Sequence, residues 1–372
     1  MATPKDKLYS LVQEYSDLGY HRTGTPVDQA TIEWFERQLL IIGARVERAP
    51  YQFQRYAAEW SLTLGGRALD SLPLFYESVG SFVSSSPYVG AVDVSDHSTM
   101  ANNFEEQVDV ARRSGAEAAV LSTIGREGLL VVPNRAPVLG SGFSVILAAG
   151  SSLEELKRGS VSVSLSAKIE DSESANVVGY LGEGDFSRPV VVTTPISGWF
   201  HCAGERGTGI AISLELAKSL ARSYPVMVVG ATGHELDYLG AKRYLEASPL
   251  PPAAVIHLGA SVATGIPGQD GSLVLSPTRS ALTSTTGEVA QEMQRAAAQG
   301  EFAFESDPPL YGGEGGEWIR LGMPLLSFLG GFRLFHTPED LPQHATSPEL
   351  LNVVCEAVVE ASHIFVANAL KG

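Results

Sequence analysis

PVVVTTPISGWFHCAGERGTGIAISLELAKSLARSYPVMVVGATGHELDYLGAKRYLEASPLPPAAVIHL, residues 189–258, carries the pattern that decides the fold. Three short runs within it, Pro189–Thr194, Val226–Ala231 and Ala254–Leu258, are almost wholly apolar and rich in β-branched residues. Between them, 209–221 and 236–247 repeat apolar residues at steps of three and four. Strands with no polar face must be covered on both sides, and amphipathic helices between them supply the cover. The expectation is an α/β fold: a mixed, largely parallel sheet with helices on both faces.

Working outward, two helices are expected at 5–17 and 27–43, then a strand over Arg45–Phe53. From Trp60 to Ile169 the pattern changes to short β-like runs: Ser61–Leu64, Tyr88–Val94, Ala118–Ser122, Leu129–Val132 and Val161–Ala167. Only 103–114 and 152–158 read as helical there. Residues 59–169 therefore read as a small β-rich insert, bounded by polar connectors such as Glu170–Ser174. Residues 1–58 and 170–372 form the discontinuous main domain. At the far end Ser347 caps a helix with Pro348 in its first turn and an apolar stripe through Leu351, Val354, Val358, Ala361 and Phe365. Cys355 and His363 ride on that helix as structural residues.

Charge and composition remove several function classes. Apolar residues make up 44% and charged residues 18%, which is ordinary globular usage and excludes disorder as the dominant state. The 26 basic against 42 acidic residues give a formal charge of −16, a poor match for nucleic acid or an anionic membrane surface. The two cysteines, Cys202 and Cys355, cannot build a disulfide framework and fit a reducing compartment. No signal-like h-region follows the first residues, and no uninterrupted apolar run reaches the roughly 18 residues of a membrane span. A cytoplasmic protein is expected, with association of copies left open.

Open α/β sheets build their sites beyond the carboxyl ends of the strands. Three such segments carry chemistry: Thr194–Gly209, Thr232–Gly240 and, after a strand at 324–328, Leu334–Asp340. A Walker A loop, a Gly-x-Ser-x-Gly elbow and a His-Glu-x-x-His pair are all absent, since Tyr238 stands four residues after His234. His201 and Cys202 are chain neighbours and point apart, so they make no nucleophile pair. Asp237 and Asp340 read as caps or buttresses, and His21, His97 and His344 as surface residues.

At these segments the chain resembles the M28 family of zinc peptidases, over nearly its whole length. Glu205-Arg-Gly-Thr-Gly209, His234-Glu-Leu-Asp-Tyr-Leu-Gly-Ala241 and His336-Thr-Pro-Glu-Asp340 fall on three of its motifs. Asn176–Gly184 is similar to its return into the catalytic domain, and the insert resembles a protease-associated domain. The resemblance implies a zinc-exopeptidase-like fold and cleavage of an amide or peptide bond in a small substrate. It also implies metal ligands, and here the chain departs from the family. The first metal's His and acid land on Pro195 and Gly259, whose side chains cannot ligate. For the second, Glu205, Glu235 and His336 remain, the composition of a one-zinc catalytic site like that of the similar glutaminyl cyclases. His234 stands where the family has its general base and suits proton transfer near neutral pH.

The remaining implied roles concern substrate. Arg206, in place of an Asn, either clamps a carboxylate or neutralises Glu205. Ser197 and His201 line the volume left by the first metal. Glu314, Glu317 and Trp318, in the Gly312–Trp318 loop, form a pocket rim for an amine-bearing substrate. Three readings stand open: a one-zinc hydrolase, a metal-free acid–base enzyme, and a pseudo-peptidase that binds a peptide or partner.

Overall fold

The structure is a computed structural model that describes residues 4–94, 104–247 and 251–371. At its centre lies a ten-stranded mixed sheet. The strands Val190–Pro195, Val226–Ala231, Ala254–Leu258 and Leu325–Leu329 form its parallel middle, with Val190–Pro195 between Val226–Ala231 and Ala254–Leu258. Their side chains are buried throughout except at Leu329, as their unbroken apolar runs require. The helices Pro4–Asp17, Pro26–Ile41, Thr208–Leu220 and Pro348–Ala369 supply much of the largest apolar cluster. The last of these is long and apolar enough by composition to cross a membrane, and half of that apolar stretch is buried within the protein. Its cap is as expected, with the Ser347 hydroxyl accepting from the Leu350 N–H.

Next to the parallel strands runs a feature that sequence patterning misses. Arg45–Leu64 and Val161–Leu181 are two continuous strands that pair antiparallel from Arg45↔Tyr180 to Leu64↔Val161. Glu170–Ser174, expected to be a connector, lies in the middle of the second strand. Its polar residues face polar partners across the ribbon: Gln52 donates to Glu173, Gln54 to Asp171, and Arg55 pairs with Glu170. The ribbon leads to a four-stranded sheet in the order Ser71–Pro73, Ser144–Ala149, Ala118–Ile124, Tyr88–Asp93. A second apolar cluster fills this part and continues onto Trp199, Phe200 and Leu236 of the main sheet's loops. Leu129–Val132, expected as a strand, takes no regular structure, although Leu130 to Val132 are buried.

Candidate active site

The three chemistry-bearing segments converge at the carboxyl ends of the parallel strands. After Val190–Pro195 the chain makes a single π-helical turn, Ala203–Gly207, entered through Cys202 at φ +48°. Asp340 caps that turn: its Oδ1 accepts from the Gly204 N–H at 2.6 Å and its Oδ2 from the Glu205 N–H at 3.0 Å. This is the buttress expected of Asp340, and it aims Glu205 and Arg206 inward. After Val226–Ala231, Gly233 turns in the left-handed region at φ +74°. A Cβ there would meet the Gly240 nitrogen at 2.9 Å, so glycine alone fits. His234 and Glu235 follow in one 3₁₀ turn.

Glu205 sits between two cationic or basic groups. Its Oε1 lies 2.6 Å from Arg206 Nη2 and 3.2 Å from His336 Nε2, with all three side chains buried. Neither contact has hydrogen-bond geometry, so Glu205 Oε1, His336 Nε2 and both Arg206 terminal nitrogens are buried without a hydrogen-bond partner. Burial alone would raise the Glu205 carboxyl, but Arg206 and then His336 outweigh it and hold it down at about 2. Arg206 Nε donates to the Ser197 carbonyl at 3.0 Å, which fixes the guanidinium. His336, at φ +60°, bonds through Nδ1 to the Val132 carbonyl at 2.8 Å. The irregular path of 129–132 thus has a use: it presents a carbonyl that sets the imidazole's orientation.

Glu235 does not join this group as a ligand. Its Oε1 accepts from the Thr23 N–H at 2.6 Å and its Oε2 from the Ser197 hydroxyl at 2.8 Å. Ser197 Oγ also accepts from the His234 N–H at 3.1 Å. Ser197, fully buried, is therefore a junction that ties Arg206, Glu235 and His234 together, and not the lining of an open volume. Among the described residues no three His, Cys, Asp or Glu side chains gather as a metal site. In this arrangement the set does not fit zinc. Glu235 is engaged by two donors, and a full positive charge already lies against Glu205. A second cation there would face the guanidinium at close range.

His234 meets an unexpected partner. Its Nδ1 lies 3.0 Å from Glu314 Oε1, and Glu314 is fully buried where a solvent-facing rim was expected. Burial raises the Glu314 carboxyl to about 8, with Glu235 adding to the rise and Arg206 opposing it. Burial, then Arg206, His336 and His257, push the His234 imidazole well below its ordinary range. Both shifts favour the uncharged forms, and the fall of His234 runs against the near-neutral titration expected of it. His234 keeps 6% of its surface open, against 0% for Glu314.

Other expected site residues fall outside this cluster. His201 bonds to the Ser16 carbonyl at 2.9 Å and stands edge-on to Tyr20, at the end of the first helix. Glu317 pairs with Arg320, and Trp318 is buried beside Tyr244. These two lie on the helix that follows Glu314, and Glu317 borders a cavity of about 620 Å³ lined also by Tyr238, Gly312 and Gly313. His21 is not at the surface: it is fully buried, stacked on Tyr15 at 3.8 Å and bonded to Thr31 at 2.7 Å. His344 is exposed along half its side chain or nearly so, and His97 lies outside the described residues.

One member of the cluster was missed altogether. His257, in the strand Ala254–Leu258, is fully buried, holds Ser327 Oγ at 2.8 Å through Nδ1, and has no partner for Nε2. Burial, then Arg206, lower it to about 3. A Cβ on Gly259 would come within 2.8 Å of its Cε1. The glycine that resembles a lost ligand position is thus what makes room for this ring. The spacing of His257 and Gly259, two apart at the end of one strand, was the available signal.

No family model matches the sequence. No curated protein matches it. Solved structures do. The chain superposes on a zinc aminopeptidase from Bacillus subtilis with a TM-score of 0.74 at 17% identity, covering 96% of this chain and 94% of that one. A peptidase M28 precursor from Shewanella amazonensis gives 0.67 at 16% identity, over 97% and 92%. A glutaminyl cyclase from Porphyromonas gingivalis gives 0.53 at 13% identity, over 98% of each chain. The fold is M28-like, a mixed α/β zinc-exopeptidase architecture. Fold at this identity carries no activity with it.

Proposed function

We propose that the chain is an amide-bond hydrolase on the M28-like fold, acting on a small peptide or amide substrate with His234 as proton carrier. The observation that supports it is the His234–Glu314 pair, an imidazole held through one nitrogen at the least enclosed edge of a buried charged cluster. In the reaction, the imidazole takes a proton from water as the oxygen bonds to the substrate's carbonyl carbon. The C–N bond then breaks and the proton passes to the departing amine. Glu314 holds the ring in place throughout. The reading keeps the expected small substrate and reducing, cytoplasmic setting, and both cysteines are free and buried. His234→Gln should keep the fold and lower turnover of aminoacyl and acyl amides by roughly 10²–10⁴-fold. Unchanged turnover in that variant would sink the proposal.

A second reading is a pseudo-peptidase that binds a peptide without cleaving it. The observation in its favour is enclosure: Glu205, Glu235 and Glu314 are 0% exposed, and Arg206 and His336 1%. A wild-type chain that turns over no member of an amide panel, yet binds peptides, selects it.

A further inference from the structure

We infer that Arg206 is the resident cation of this cluster, a built-in positive charge whose side chain excludes a divalent metal from donors that would otherwise accept one. The inference is independent of the hydrolase reading. Glu205 Oε1 and His336 Nε2 face each other at 3.2 Å, and both are buried without hydrogen-bond partners. With Nδ1 of His336 committed to the Val132 carbonyl, its Nε2 is left facing that carboxylate. A buried carboxylate needs a cation beside it, and the Arg206 guanidinium, 2.6 Å from the same Oε1, is that cation. It is held there by Nε donating to the Ser197 carbonyl, while the Ser197 hydroxyl holds Glu235 at 2.8 Å. Removing the guanidinium therefore empties a space bordered by Glu205 and His336. A carboxylate and an imidazole are donor types that zinc takes, with water able to fill the remaining positions.

The test is zinc titration of the full chain, followed by calorimetry, elemental analysis and melting temperature. The wild-type chain should hold less than about 0.1 zinc after dialysis, whereas Arg206→Ala should hold about one. Zinc should raise the melting temperature of Arg206→Ala and leave the wild type unmoved. Arg206→Lys, which keeps the charge, should bind no zinc, and Arg206→Ala/His336→Ala should lose the site again. Arg206→Gln, closer in volume, takes the place of the alanine variant if that chain does not fold. Stoichiometric zinc on the wild type lost with His336→Ala, or a folded Arg206→Gln that takes up none, overturns the inference. Neither result depends on finding a substrate, so failure of the hydrolase reading is told apart from failure of this one.

Discussion

Neutralising Glu205 isolates what the buried ion pair contributes. Glu205→Gln keeps the volume of the side chain but leaves the Arg206 guanidinium charged and fully enclosed. At 2.6 Å and an effective dielectric of about 20, the lost attraction is about 6 kcal/mol gross. The desolvation of Glu205, no longer incurred, returns part of that, so a net loss of ~3–5 kcal/mol is expected. Arg206→Met should cost less, because Glu205 can take up a proton, an escape closed to a guanidinium. The double variant, with both charges gone, should recover most of the loss. Urea unfolding at pH 7, followed by tryptophan fluorescence, gives the three values and the coupling between them. A coupling below about 0.5 kcal/mol would refute the pairing as the dominant interaction of the cluster.

Other outcomes follow from particular contacts. Asp28, buried with Oδ2 accepting from the Gly24 N–H and Ser174 and with Oδ1 unpartnered, is raised by burial to about 7. The folded chain thus holds a proton there that the unfolded chain releases near the ordinary value of about 4, and stability attributable to Asp28 falls as pH rises from about 4 to 7. Asp28→Asn should remove that slope, melting above the wild type at pH 8 and converging with it near pH 4. Gly259→Ala places a Cβ 2.8 Å from His257 Cε1 and 3.2 Å from Leu329 Cβ. It should cost ~1–3 kcal/mol in chemical unfolding. Adding His257→Ala should make the pair less damaging than the sum of the singles, and strict additivity would count against the contact.

The parallel middle of the sheet was legible because its strands have no polar face to confuse with anything else. Val226–Ala231 and Ala254–Leu258 fall on the expected residues, and Val190–Pro195 is offset by one. The ribbon was not legible as two unbroken strands, since half-exposed residues carry the polar side chains that also mark connectors. Within the site, the segments holding Glu205, Arg206, His234 and His336 were legible from their place after strands, and the residues themselves from the resemblance. Burial was what spacing could not supply. Glu314 lies in a glycine-rich loop that reads as exposed, yet it is enclosed against His234. His21 reads as polar and is packed on Tyr15. Glu235, expected as a metal ligand, is instead held by Thr23 and Ser197, and the Thr23 bond comes from an N-terminal segment distant in sequence.

The long ribbon also bears on how the chain is made. Arg45 waits for Tyr180 and Leu64 for Val161, so during synthesis the first strand emerges well before its partner exists. For that interval a twenty-residue strand has open backbone on both edges. Its sequence is suited to the wait: Arg45, Glu47, Arg48 and Glu59 are spaced along it and stay exposed after folding. Charges at such intervals oppose pairing with neighbouring nascent chains, and Pro50 interrupts the row of donors in the first third of the strand. The charges and the proline thus guard the first strand until Val161–Leu181 arrives.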